Sequence, residues 1–408
     1  MVRLLAQVKP SNSNFEIRRM RIAYLFNTPF FMGGGEISLK ELIRTVSGSA
    51  IDPVIVAPGN GPVAQWCRCR KLPVDIVQMP ALRTAIRLDP LKAVLRLYRV
   101  LKRRQIHLIH ANGSRACFYG IAAGMAAGVP LLWHVRETIR DYYLYDFFLA
   151  ANAKGIITVS HSVAEKRFGH FPTRIRKKIS VVHNGVDCFR FRKNPHDRLE
   201  KRLQLGLAKE NVVFGVIAHI RPVKGHSFFL KAFGKFRARH PELDAKAILV
   251  GRMADQTYGK FLRNQVRDDG IEQDIIFLDH TEDIETIYAA LDILVVPSKR
   301  EGFSRVVLEG MACELPIVGT DLDEIREALA PAGGGILVAY GDTEALAAAF
   351  FELARAPEQR HQMGKRNRRI VKSNFSLSAQ NSKVKRVYHS IRYDRSSDLS
   401  FVKKWMAR

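Results

Sequence analysis

PSKREGFSRVVLEGMACELPIVGTDLDEIRE, residues Pro297–Glu327, decides how the chain is organised. Two glutamates, Glu301 and Glu309, stand eight residues apart around a Gly302-Phe303-Ser304 turn and a short apolar run. LDILVVPS (Leu291–Ser298) before it and ELPIVGTD (Glu314–Asp321) after it have the composition of buried strands. The stretch therefore predicts strand, glycine turn and helix, with the helix beginning near Ser304. Free amides and positive partial charge at a helix N-terminus suit an anionic group such as a diphosphate. Glu309 falls one to two turns into that helix and Glu301 just before it. One carboxylate is thus placed to meet hydroxyls beside a phosphate site, and the other to meet hydroxyls further along the ligand. The same pattern also fits an ordinary strand–helix unit with two solvated glutamates, so the other loops must decide.

Outward from this stretch, strands alternate with helices along the chain. IAYLFN (Ile22–Asn27), PVIVAP (Pro53–Pro58), VDIVQM (Val74–Met79), HLIHAN, LLWHV, GIITVS and ISVVHNG are apolar runs bounded by turn residues. A polar, proline-bearing connector is expected from Phe189 to Glu210. At Val212 the alternation restarts, with VVFGVIAHI, AKAILVG, IIFLDH, LDILVVPS, LPIVGT and GGILVAY. The expected class is α/β: two Rossmann-like, doubly wound parallel-sheet domains facing across a cleft. Expected boundaries are 1–19, an extension outside the fold; 20–188, an N-terminal domain; 189–374, a C-terminal domain; and 375–408, a helical tail returning toward the first domain. A length of 408 residues fits two cores better than one.

The net charge of +26 is uneven. Residues 1–190 hold 29 Lys/Arg and 11 Asp/Glu, a balance of +18, against 36 and 28, or +8, in the rest. The front half is either a basic surface or faces something anionic. The helix expected from Pro90 to Arg104 and the run Arg174–Lys178 suit anionic lipid, with Tyr142, Tyr143, Tyr145, Phe147 and Phe148 dipping into an interface. Alternatively that helix is a solvated face and the aromatics belong to the core. Nucleic-acid signatures are absent. Five scattered cysteines fit a reducing compartment and no cysteine metal site. Ala116–Trp133 is uncharged for 18 residues, but Gly128-Val129-Pro130 breaks it, which favours a helix packed on a sheet, then a strand.

Several further loops carry candidate chemistry. Gly33-Gly34-Gly35-Glu36 follows the first strand and allows close backbone approach to a phosphate or sugar, or is simply a loose turn. Lys224, with His219 and Arg221, forms a cationic loop after a strand, suited to diphosphate or merely solvated. His134 ends a strand and is either structural or placed to bind a hydroxyl or move a proton. No HExxH, no Asp/His cluster with ligand spacing and no nucleophile elbow is present, so metal and serine hydrolysis lack support.

GGGE, LIHANGSRACFYGIAAGMAAGVP, VSHSVAE, HNGVDCFRF, IRPVKGH, AALDILVVPSKREGFSRVVLEGMAC and GDTEALAAAF, in this order, resemble the family 4 retaining glycosyltransferases of the GT-B fold. The resemblance runs from about Met20 to Tyr393. It implies a nucleotide-diphosphate-sugar donor held by the C-terminal domain and an acceptor held by the N-terminal one. It further implies that Glu301 meets donor-sugar hydroxyls, Glu309 the ribose, and Lys224 with Gly302, Phe303 and Ser304 the diphosphate. Gly33 and Gly34 are also candidate donor contacts, and His134 is the histidine beside the transferred sugar, although Arg136 fits the same frame. No metal and no further cofactor is implied. Where the family commonly has an arginine this chain has His219, with Arg221 as the substitute charge. Where it has a glycine pair, the chain has Asp323-Glu324, placing carboxylates at the phosphate end, while Glu327 is kept. The implied activity is sugar transfer, with retention, to a cell-surface polysaccharide, lipopolysaccharide or lipid-linked glycan, in the cytoplasm at the inner membrane face. A soluble sugar phosphorylase or oligosaccharide synthase, and a degenerate non-catalytic binder, are the alternatives.

Overall fold

A computed structural model describes residues 19–393, except residues 32, 49, 82–87, 139–141 and 254. The expected extension, apart from Arg19, and the end of the expected tail lie outside the described residues. Two wholly parallel sheets organise the described chain. The first contains β1 (Met20–Leu25), β2 (Ile51–Ala57), β3 (Val74–Ile76), β4 (Leu108–Asn112), β5 (Leu131–Val135), β6 (Gly155–Thr158) and β7 (Ile179–Val181). Its order is β3-β2-β1-β4-β5-β6-β7. The second contains β8 (Val212–Ile217), β9 (Ala245–Val250), β10 (Ile275–Leu278), β11 (Ile293–Val296), β12 (Ile317–Thr320) and β13 (Gly335–Val338), ordered β10-β9-β8-β11-β12-β13. Both therefore reverse direction of winding beside their first strand, between β1 and β4 and between β8 and β11. Loops at the carboxyl ends of strands beside such a reversal leave a crevice for ligand.

Helices cover both sheet faces, which is why the strands read as continuous apolar runs. Ile22, Ala23, Tyr24 and Leu25 are all fully buried, so neither face of β1 is left for polar residues. Ala116–Trp133 divides as its glycine turn requires. The helix Ser114–Ala127 ends at Gly128, whose φ of 72° is left-handed, and β5 follows. A Cβ on Gly120 would come within 2.5 Å of Leu131, so small residues there let the helix sit close on its own sheet. No helix among the described residues is long and apolar enough to cross a membrane.

The expected connector is more structured than its composition suggests. It contains the helix Pro195–Gln204, capped by Asn194 and anchored by Arg198 and Arg202, which both donate to Asp292 before β11. Proline at the first helical position is compatible with a helix start. After the helix Pro357–Asn374, the helix Leu377–Tyr393 crosses to the first sheet, where Val384, Tyr388 and Ile391 join its core.

Candidate active site

The carboxyl ends of the two sheets face a shared cavity of about 670 Å³. Gly33, Gly34, His219, Lys224, Glu301, Gly302, Phe303 and Ser304 all line it, as do Glu36, Arg115, Arg136 and Arg305. Residues from widely separated loops meet there because each loop follows β1, β4, β5, β8 or β11.

Lys224 is carried by the short turn Pro222–Lys224, and its Nζ lies 2.8 Å from Glu301 Oε1. Ser298 Oγ donates to the same oxygen at 2.7 Å. The Lys224 turn is seated by Gly225, whose φ is 73° and where a Cβ would lie 1.8 Å from the Pro297 carbonyl oxygen, so a side chain there forces the two loops apart. The backbone amide of Lys299 donates to the Val223 carbonyl and closes the second loop onto the first.

Three helices point their N-termini at this cavity: Gly34–Val46, Ser114–Ala127 and Arg305–Ala312, with Gly33, Gly113 and Ser304 at their caps. None of these caps makes a side-chain bond to its helix. The cavity is thus faced by helix N-termini and their partial positive charge, although Asn27 Oδ1 accepts from the Ala116 amide of the second helix at 3.0 Å; such surroundings suit an anionic ligand.

His134, Glu309 and Arg221 are placed differently from the sequence expectation, since none of them lines the cavity. In β5 side chains alternate faces. Trp133 and Val135 therefore turn toward the cavity, while His134 is fully buried on the other face. His134 Nδ1 lies 3.0 Å from His110 Nε2, and His110 Nδ1 lies 2.7 Å from the Tyr388 hydroxyl. Burial, with Arg136 and His110 nearby, holds His134 well below the usual imidazole range, so it is neutral. Arg136 takes the cavity position. Its Nε donates to Asn112 Oδ1 at 2.5 Å and its Nη1 to Asn184 Oδ1 at 2.9 Å. Burial lowers its pKa to about 10, so it remains charged at neutral pH.

Glu309 stands one layer behind the cavity. Arg305 Nη2 donates to its Oε1 at 2.9 Å, and Tyr288 donates to its Oε2 at 2.9 Å. Arg305 also reaches Ser38 Oγ of the first domain at 3.4 Å. Arg221 starts the turn that carries Lys224 inward and is itself exposed outside the lining. It does not place its charge where His219 stands.

Asp323 and Glu324 are likewise away from the cavity. Their helix, Asp323–Leu329, packs on His161–Phe168 of the first domain. Lys166 pairs with both carboxylates, and Ser162 Oγ donates to Glu324 Oε1 at 2.6 Å. On the same seam Glu327 accepts from the backbone amide of His161 and meets the rings of His161 and His183. Asn184, which the sequence had not singled out, and Gly302, which it had, close the seam beside the cavity. Asn184 Nδ2 donates to the Phe303 carbonyl at 3.0 Å, and a Cβ on Gly302 would lie 2.3 Å from the Arg136 carbonyl oxygen. The HNGVD run was the available signal for Asn184.

Known proteins match this architecture along most of its length. The family model "Glycosyltransferase Family 4" matches residues 32–190, and "Glycosyl transferases group 1" matches residues 197–370. The chain is 27% identical over 310 residues to the lipopolysaccharide core biosynthesis mannosyltransferase LpcC of Rhizobium leguminosarum bv. viciae, covering 75% of this chain and 84% of that one. It is 24% identical over 392 residues to the UDP-Gal:alpha-D-GlcNAc-diphosphoundecaprenol alpha-1,3-galactosyltransferase of Escherichia coli, covering 91% and 97%. It spans 59% of the length of another curated relative. The crystal structure of Anabaena HepE with UDP superposes with a TM-score of 0.81 at 22% identity, covering 91% of this chain and all of that one. With GT-B architecture in both sheets and family models matching either half, the chain belongs to the family 4 glycosyltransferases.

Proposed function

We propose that the protein transfers a sugar from a nucleotide-diphosphate-sugar to a glycan or lipid-linked glycan, with retention of configuration and without a catalytic metal ion. One observation carries this: three helix N-termini and the Lys224–Glu301 pair converge on one cavity between the two sheets. The amides of Gly302 to Ser304, with Lys224, take the diphosphate. Their positive charge stabilises it as it departs, the task a metal performs elsewhere. Glu301, fixed by Lys224 and Ser298, accepts hydrogen bonds from donor-sugar hydroxyls. Glu309 receives the ribose once Arg305 moves aside. Arg136, not His134, is the side chain beside the reacting sugar. The departing diphosphate helps remove the acceptor proton in a front-face step of oxocarbenium character.

The acceptor enters from the first domain, which works in the cytoplasm on the inner face of an anionic membrane. Leu88, Leu91 and Leu95 are exposed along or beside the helix Asp89–Arg103 among Lys92, Arg96 and Arg99. Tyr142, Tyr143, Leu144 and Phe148 are exposed too. Apolar side chains rimmed by cations favour a charged lipid surface. The named activities of the two sequence relatives, on lipopolysaccharide core and a diphosphoundecaprenol-linked sugar, support the same acceptor class.

A thermal-shift screen of nucleotide sugars tests the donor reading, because ligands that bind the native state stabilise it. One or more nucleotide sugars are expected to raise the melting temperature and to be hydrolysed slowly. A flat screen, with no hydrolysis of any donor, refutes the assignment.

A further inference from the structure

Linear spacing gave no metal-ligand pattern, yet the fold assembles one from three separate elements. His161 opens the helix His161–Phe168, His183 follows β7, and Glu327 lies in the helix Asp323–Leu329 of the other domain. His161 Nδ1 is 2.7 Å and His183 Nε2 2.6 Å from the same oxygen, Glu327 Oε1. The nitrogen and carboxylate donor atoms all lie within 4.8 Å of one another. None of the three residues lines the donor cavity.

Each donor is held in place before any ion arrives. Glu327 Oε2 accepts from the His161 backbone amide at 3.0 Å. The His183 ring packs between Phe303, 4.7 Å away, and Phe375, 5.2 Å away. The His161 side chain is 75% exposed, leaving one side of the cluster open to solvent. Two imidazoles, one carboxylate and an open position match the donor set and coordination number of zinc-type ions. Tetrahedral bonds to such an ion separate ligand atoms by about 3.3 Å. The present hydrogen-bonded spacings must widen slightly, which the exposed His161 ring permits.

We propose that His161, His183 and Glu327 form a divalent metal site of the zinc class that cross-links the two domains. The ion takes the lone pairs of His161 Nδ1 and His183 Nε2, and a neutral ring bound in this way carries its one proton on the other nitrogen. Mixed nitrogen and oxygen donors favour zinc, cobalt or nickel over magnesium and calcium, which take oxygen ligands. Filling the site fastens the seam immediately behind Phe303, which lines the donor cavity. The site is independent of the transfer chemistry proposed above, which uses no ion.

The test uses the full chain stripped with chelator and titrated with cobalt(II), read by visible ligand-field absorption and by calorimetry. One equivalent is expected to bind with a four-coordinate spectrum and to be displaced by zinc but not by magnesium. Zinc is also expected to raise the melting temperature. His161→Ala and Glu327→Gln are each expected to weaken binding at least about ten-fold and to abolish the zinc-dependent shift, as losing a ligand should cost no less than losing its outer-shell partner. His196→Ala, an exposed histidine elsewhere, leaves binding unchanged. Because His161 is largely exposed, its metal-free variant should melt like the parent, separating lost ligation from lost folding. No saturable uptake, or uptake that His161→Ala leaves unaltered, overturns the proposal.

Discussion

Lys224 and Glu301 hold one another across 2.8 Å, so on the proposed function donor binding would exchange this ion pair for contacts to phosphate and sugar. Removing either partner leaves the other charge facing a partly dry site. Lys224→Ala is expected to lower kcat/KM about 100-fold, and Glu301→Gln by a similar factor, measured with a donor from the thermal-shift screen. Glu309→Gln keeps the shape but removes the charge that anchors Arg305. If Glu309 receives the ribose, nucleotide affinity should fall about ten- to 100-fold, by calorimetry, with little change in kcat. Unchanged affinity would assign Glu309 a purely structural role beneath Arg305. At this scale the sequence was legible where a residue sits on a loop directly after a strand, as Lys224, Glu301 and Gly302–Ser304 do. It was not legible for His134, because frame alone does not say which face of β5 a side chain takes. Nor did spacing disclose that Glu309 is covered by Arg305.

Turns decide how the elements meet. Gly225 pairs a left-handed backbone with a contact that forbids a side chain, since its Cβ would meet the Pro297 carbonyl. Gly225→Ala is therefore expected to destabilise the fold by about 1–3 kcal/mol through overcrowding, with a further penalty for the positive φ. Urea unfolding measures this, and a variant as stable as the parent would show that the two loops separate easily. Strands and their order of appearance could be read from apolar runs because both sheets are buried on both faces. The connector helix Pro195–Gln204 could not, because its sequence is polar. It is held by the Arg198 and Arg202 bonds to Asp292, a partner roughly ninety residues away. Asp323 and Glu324 illustrate the same limit: their position in the motif suggested the phosphate end, whereas their helix carries them to Ser162 and Lys166.

Across the whole molecule, buried imidazoles tie stability to pH. Burial lowers His110 to about 3 and His226 to about 4, and holds His134 low as well. The unfolded chain, with histidines near pH 6.5, binds protons that the folded chain refuses. Stability is thus complete above about pH 6.5 and declines as pH falls toward the folded values. Each such histidine contributes a slope of up to about 1.4 kcal/mol per pH unit. Urea midpoints should drop between pH 7 and pH 5, and a flat profile would contradict neutral burial. The exposed leucines and aromatics of the first domain predict co-sedimentation with anionic vesicles that high salt weakens and Leu91→Ser with Leu95→Ser reduces. Equal recovery with neutral vesicles, or none at low salt, would remove the membrane surface from the proposed function. Two domains and their cleft could be anticipated because the alternation restarts at Val212, but the surfaces joining them could not, since each seam contact pairs residues remote in sequence. One contact of that kind bears on the protein's synthesis. Tyr388 reaches His110 from a helix made after the entire second domain, and Val384 and Ile391 fill the same core. On the ribosome, the first half must wait with this face uncovered until the second half has emerged. The floor beneath Arg136 is therefore the last part of the fold to be finished, although its strands are among the first to be made.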